Sequence, residues 1–400
     1  MQYITLALLL GSSLIVSAAS PPPRYFSASP GALMKAKEGL AAGDKDLGKA
    51  LRKLIKEADA ALNQQPVSVT EKTKTPPSGD RHDYMSIAPY FWPNPETKNG
   101  LPYLRHDGKV NPESRDPKAN DSPRIKLMGD TIEALALAYH FTGDERYAAH
   151  AAKVARAWFL DPATRMNPHL KFAQAILGVN DGRGTGILEG NHISIAADAL
   201  GLLSGSKNWP EKDRDAFKQW LNEYLDWLMT SDAGKDEHAA KNNHGTYFDV
   251  QAVRLALVLD RREIARRLLE EARLRRIVVQ IEPDGRQPLE LDRTTSFSYS
   301  RFNLEALTEL ATLGEHAGVD LWHFTTDDGR SIRKAIDYMR PYADVPPKKW
   351  PFQQIKDKHE SEFMPIFRRA AIAYNDSTYE AIVTKYEDRL SKRFQLLMIK

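Results

Sequence analysis

Apolar positions recur with a helical period along most of the chain. In DAFKQWLNEYLDWLMT (215–230), Phe217, Trp220, Leu221, Tyr224, Leu225 and Leu228 fall at i, i+3, i+4, i+7 spacing and so share one face. Residues 122–160 read as two helices joined at Thr142-Gly143-Asp144, with Asp144 placed to cap the second. Similar patterns predict helices over 30–64, 192–206, 246–260, 262–277, 300–317, 329–341, 359–374 and 377–395. Strand-type alternation is scarce. Helical hairpins follow one another without the identity of a true repeat. A run of antiparallel helix pairs this long closes into an α/α toroid or curls into a solenoid. The expectation is all-α, an α/α toroid in the form of an incomplete α/α barrel, with its cleft built from loops and helix ends.

Three long stretches break the helical pattern. They are 66–121, which holds DYMSIAPYFWPNP and GLPYLRHDGKVNPESRD, then 167–193, which ends glycine-rich, and 281–303. Loops of this length in a compact domain are either functional or disordered. Their aromatic content argues for order.

Composition narrows the function. The chain has 400 residues, 42% hydrophobic and 27% charged, as expected of a soluble globular protein. A net charge of +3, spread along the chain, does not mark a nucleic-acid binder, but it does suit approach to an anionic ligand. The opening MQYITLALLLGSSLIVSAAS carries an apolar run ending in small residues, and SPPPRYF follows. We read residues 1–19 as a secretory signal peptide cleaved near Ala18 or Ala19, leaving 20–400 as one exported domain. No later apolar run is long enough to span a bilayer, so no membrane partner is expected. There is no cysteine, and hence no disulfide.

Most motif chemistry is excluded. GRGTG lacks the spacing and the Lys-Ser/Thr of a phosphate loop. The 11 histidines contain no His-Glu-x-x-His, so neither metal nor cofactor is expected. There is no Gly-x-Ser-x-Gly elbow. In RREIARRLLEEARLRR the interleaved Glu263, Glu270 and Glu271 make the basic run a solvated face. Between the prolines of APYFWPNP, Tyr90 and Trp92 are rings that could stack on a sugar, with Phe91 anchoring the loop. EGNHI, KNNHGTYFD and DRTTSFSYS each sit at a helix end. Singly they read as caps and polar core residues. Jointly, Asn191, Asn243, His244, Arg293 and Tyr299 form a set able to bind a carboxylate and abstract a poorly acidic proton. His192 and Arg183 are added as substrate contacts.

Asn-Asn-His opening a helix, followed by an Arg and a Tyr, resembles the alginate lyase superfamily of polysaccharide lyases. With DYMSIAPYFWPNP, GLPYLRHDGKVNPE and EGNHI, the resemblance is closest to polysaccharide lyase family 38 and covers roughly residues 30 to 395. It implies an α/α toroid and β-elimination on an anionic polysaccharide of uronic acids, alginate first. It places Asn191, His244, Arg293 and Tyr299 on the catalytic positions. Gly245-Thr246-Tyr247 departs from the bulkier pair of family 5 relatives, which leaves open the preference among mannuronate, guluronate and glucuronate. In chemical terms, Asn191 and His244 would stabilise charge developing on the carboxylate as the C5 proton leaves. Tyr299 would take that proton and protonate O4, with Arg293 lowering its pKa. His244 would be the base for a C5 proton on the opposite face. The alternatives are a glucuronan lyase, a glycoside hydrolase using Glu189, Glu290 and Asp292, and a non-catalytic glycan-binding protein.

Overall fold

The computed structural model describes residues 23–344, 348–386 and 393–399; the expected signal peptide lies outside them. The helices are α1 (Ala32–Ala41), α2 (Lys45–Ala61), α3 (Ser122–Thr142), α4 (Glu145–Ala155), α5 (Asn191–Leu200), α6 (Glu211–Thr230), α7 (Asp232–Ala239), α8 (Asn243–Val258), α9 (Arg262–Ala272), α10 (Pro288–Leu291), α11 (Ser296–Ala317), α12 (Ile332–Ala343), α13 (Met364–Ala373), α14 (Ser377–Lys385) and α15 (Arg393–Leu397).

Local chemistry sets several boundaries. The helix predicted over 30–64 breaks at Gly43, whose φ is 82°, and restarts where the Asp44 carboxylate accepts from Asp46 N and Leu47 N. Asp144 caps α4 as read, accepting from Arg146 N at 2.9 Å. Helices α8 and α11 begin at Asn243 and Ser296 rather than at 246 and 300, which puts Asn243, His244 and Tyr299 on first turns. Helices α7 and α10 were not predicted: DAGKDEHA has almost no apolar face, and PLEL is one turn opened by a proline. Two helices end in wide π turns, at 156–160 and 273–278.

Helices α3, α5, α8 and α11 pack in series, each against the next, as the inner wall of an incomplete toroid. Helix α4 lies behind α3, α9 behind α8, and α12 and α13 behind α11, while α6 and α7 pack on α8. Helix α8 is buried on every side from Gly245 to Leu257. That explains its weak amphipathic signal, since a helix enclosed all round has no polar face to reveal a period. The strands are few: β1 (Met85–Ile87), β2 (Phe91–Trp92), β3 (Leu104–Arg105) and β4 (Phe172–Ala175). β1 pairs in parallel with β4 and β2 antiparallel with β3, which joins the first two long irregular stretches to each other and folds the first back on itself.

A buried ion pair fixes the turn between α7 and α8. Arg276 donates through Nε to Asp249 Oδ2 (2.7 Å) and through Nη2 to Oδ1 (3.1 Å), and its remaining donors reach the carbonyls of His238 and Ala240. Gly245 completes the junction: a Cβ there would lie 2.1 Å from the Ala240 oxygen and 2.5 Å from Arg276 Nη1. Replacing Arg276 with Met leaves Asp249 as an uncompensated buried charge. The expected loss is about 3–5 kcal/mol, read from urea denaturation; a loss below about 1 kcal/mol would show that the pair does not anchor this junction.

Candidate active site

The four inner helices bring their first turns to one place. Ser122 of α3, Asn191 of α5, Asn243 and His244 of α8, and Ser298 and Tyr299 of α11 line a single cleft of about 820 Å³. These helices therefore direct their N-terminal ends, with the partial positive charge of the helix dipole, at the same volume. Arg105, Arg115, Arg183, Arg293, Arg301 and Lys356 also line it, against one carboxylate, Glu189. The cleft is built for an anion.

Asn191 opens α5, and its Oδ1 accepts from Arg254 Nη1 at 3.0 Å and from Ser194 Oγ at 3.2 Å. A guanidinium can only donate, so the amide oxygen faces inward and Nδ2 is left for the cleft. Arg254 is fully buried and ion-paired with Glu309. Sequence reasoning missed Arg254, although a lone arginine in VQAVRLALV had to find a buried partner.

His244 stands in the first turn of α8, and its Nδ1 lies 2.7 Å from Oε1 of the buried Glu237. A carboxylate accepts, so Nδ1 carries the proton and Nε2 is the atom free for chemistry. Nothing in the sequence marked Glu237, which comes into place only through the α7–α8 turn. Asn242 caps α8 by accepting from His244 N. Asn243 lines the cleft, but its Nδ2 donates to Glu290 Oε2 (2.8 Å) and its backbone N to Oε1 (2.7 Å). Asn243, expected among the substrate contacts, does line the cleft, and one N–H of its amide anchors the helix start.

Tyr299 and Arg293 meet directly. Arg293 Nη2 donates to the Tyr299 hydroxyl at 2.8 Å, and the guanidinium carbon lies 3.7 Å from the ring centroid. Tyr299 in turn donates to the Tyr90 hydroxyl at 2.9 Å. Arg293 was expected to lower the tyrosine pKa. Burial, together with Tyr90, instead pushes it well above the ordinary value, and Arg293 only opposes this. The missing residue is Asp107, which takes both Nη2 (2.5 Å) and Nε (3.2 Å) of Arg293 and so compensates its charge.

The remaining residues divide. Arg183 is in the cleft wall, held by Gln174 through Nε (3.1 Å) and Nη2 (3.0 Å) and lying over the Phe91 ring. His192 also lines the cleft, and burial drops its pKa to about 4, so it is neutral at pH 7. Trp92 does not line the cleft; its indole turns to the Lys109 carbonyl at 2.9 Å. Adjacent strand residues point to opposite faces, so Phe91, read as the anchor, faces the cleft and Trp92 faces away. Tyr90 is present as expected. Of the three carboxyls available to a hydrolase, only Glu189 lines the cleft, and Tyr84 (2.8 Å) and Ser86 (2.6 Å) hold it. Among the described residues no group of three or more His, Asp or Glu is arranged to hold a metal ion.

The comparisons with known proteins concern the family and the fold. The alginate lyase family profile matches residues 68–350. The crystal structure of an alginate lyase from Bacteroides ovatus is 38% identical, with a TM-score of 0.89, covering 94% of this chain and 100% of that one. Alginate lyase A1-III from Sphingomonas species A1 shares the fold at 18% identity, with a TM-score of 0.60, covering 98% of this chain and 100% of that one. A histidine-to-alanine variant of A1-III, complexed with a tetrasaccharide, matches with a TM-score of 0.62 at 16% identity, covering 98% of this chain and 99% of that one. No curated protein sequence matches the chain. With well over half its length matched, and an all-α toroid in common, this chain belongs to the alginate lyase family and is a polysaccharide lyase.

Proposed function

We propose that the enzyme cleaves uronic-acid polymers, alginate first, by β-elimination to 4,5-unsaturated oligosaccharides. The observation that carries this reading is the convergence of Asn191 Nδ2, His244 Nε2 and the Arg293–Tyr299 pair on one cationic cleft walled by helix N-termini. The acidity of a C5 proton depends on how well the adjacent carboxylate can accept the charge of the leaving proton's electrons. Donors fixed in advance at that carboxylate favour the enolate-like transition state over the ground state, and only that difference accelerates the step. Asn191 suits this role because Arg254 has already oriented its amide. The α5 and α8 N-termini add to it.

Proton transfer then divides between two groups. His244, with Nδ1–H held by Glu237, has Nε2 free to act as base. Tyr299, kept as a neutral phenol by burial, supports the role of acid toward the leaving O4. For the epimer whose C5 proton faces Tyr299, the tyrosine would be both base and acid: having lost its own proton to solvent, it would take the C5 proton as a phenolate held by Arg293 Nη2 and return that proton to the leaving O4. Arg183 and Phe91 support a sugar-binding wall, with Tyr90 beside them. Export is part of the proposal and rests on the apolar opening residues.

A panel of purified uronans, followed by ultraviolet absorbance and product mass, tests the reaction. Elimination gives absorbing products one water lighter than hydrolysis products. Saturated oligosaccharides alone would sink the lyase chemistry, and turnover of glucuronan without alginate would change the substrate and keep the mechanism. Tyr299→Phe removes the proton-carrying atom and keeps the ring, so kcat should fall ~10²–10⁴-fold with the melting temperature nearly unchanged. A folded variant within a few-fold of parental kcat would return Tyr299 to a packing role. Glu237→Gln removes the charge that fixes the His244 tautomer; kcat should drop at least about tenfold with KM changing less. Parental kinetics would show that His244 needs no such partner.

A further inference from the structure

Asp107 lies in the turn after β3, where Lys109 N donates to His106 O at 3.1 Å and Gly108 adopts φ 72°. The turn is pressed against the segment that leads into α11: a Cβ at Gly108 would meet Thr294 Oγ1 at 2.5 Å. The Asp107 carboxylate accepts from Arg293 Nη2 and Nε, from Thr294 N (3.2 Å) and from Thr294 Oγ1 (3.0 Å). Arg105, an exposed strand residue, adds a 3.0 Å contact. A single nitrogen, Arg293 Nη2, therefore touches both the Asp107 carboxylate and the Tyr299 hydroxyl. Without Asp107 the guanidinium would be free to leave the ring for any anion entering the cleft.

We infer that Asp107 is the positioning residue of the Arg293–Tyr299 pair: it locks the guanidinium over the phenol. The inference rests on the proposed role of Tyr299 as proton carrier. Tyr90 touches Tyr299, and Arg105 from β3 and His244 from α8 line the same cleft. Arg115, Arg183, Glu189, Arg293, Arg301 and Lys356 are the other charged groups lining it. Asp107 is the carboxylate in contact with Arg293, and it adds to the forces that raise the tyrosine pKa. Burial resists ionisation of Asp107, but Arg293 and the Thr294 donors outweigh it and hold its pKa well below the usual carboxylate range. Its charge is therefore present across the whole working pH range.

Two substitutions separate charge from geometry. Asp107→Asn keeps the shape and removes the charge that holds both Arg293 donors, and Asp107→Glu keeps the charge on a longer arm. In each folded variant kcat on the uronan cleaved should fall about tenfold or more while KM changes less than about threefold, because the pair that handles the proton is displaced and the sugar contacts are intact. Parental kcat in either variant, or a rise in KM that accounts for the whole loss in kcat/KM, would overturn the positioning role. A parental enzyme that cleaves no uronan would sink the proposed function, whereas an active parent with unaffected variants sinks the role of Asp107 alone.

Discussion

The site depends on one constraint of direction. Because α3, α5, α8 and α11 all begin at the cleft, the positive ends of their dipoles share a single small volume, and the backbone N–H groups at each start need partners. The solutions differ from helix to helix. Asn242 caps α8 with its side chain, and Glu290 takes both the backbone N–H and the amide of Asn243. Helix α11 is held from outside, where Ser296 N donates to the Gln353 carbonyl and Trp350 Nε1 to Ser296 Oγ. What these partners leave free is a field suited to negative charge, and the side chains of the first turns are its contact points.

That constraint also explains the buried ions behind the site. Arg254 with Glu309, and Arg276 with Asp249, are pairs whose desolvation is costly in an interior. Replacing either with well-packed hydrophobes could leave stability intact. It would remove the donor that points Asn191 outward, or the one that pins the carbonyls before α8. These pairs set orientation, so their value lies in the geometry of the first turns.

The toroid and the cleft residues were legible because each rests on a local signal. The period of α6 is plain, Asp144 caps where it should, and Asn-Asn-His stands out as a polar cluster before an apolar run. The orienting partners were not legible. Glu237, Asp107 and Glu290 are ordinary surface-type residues until a turn, a hairpin or a short helix delivers them, and no spacing in the chain encodes that delivery. The pKa of Tyr299 was misjudged for another reason: burial, which no spacing in the chain reveals, outweighs Arg293. Trp92 and Phe91 were exchanged because a two-residue strand is too short to show its alternation. Helix α8 hid its period because it is enclosed all round.

The hairpin that supplies Asp107 and Tyr90 has a wider consequence. Its contacts to Arg293 and Tyr299 join positions 186 and 209 residues apart, and the strands that hold it are two residues each. Tyr299 is thus carried by a long helix, while two groups in contact with it and with Arg293 ride on a hairpin of two short strands. Such elements open locally long before the scaffold melts. Opening of that hairpin would part Arg293 and Tyr299 from Asp107 and Tyr90 while the helical scaffold stays formed.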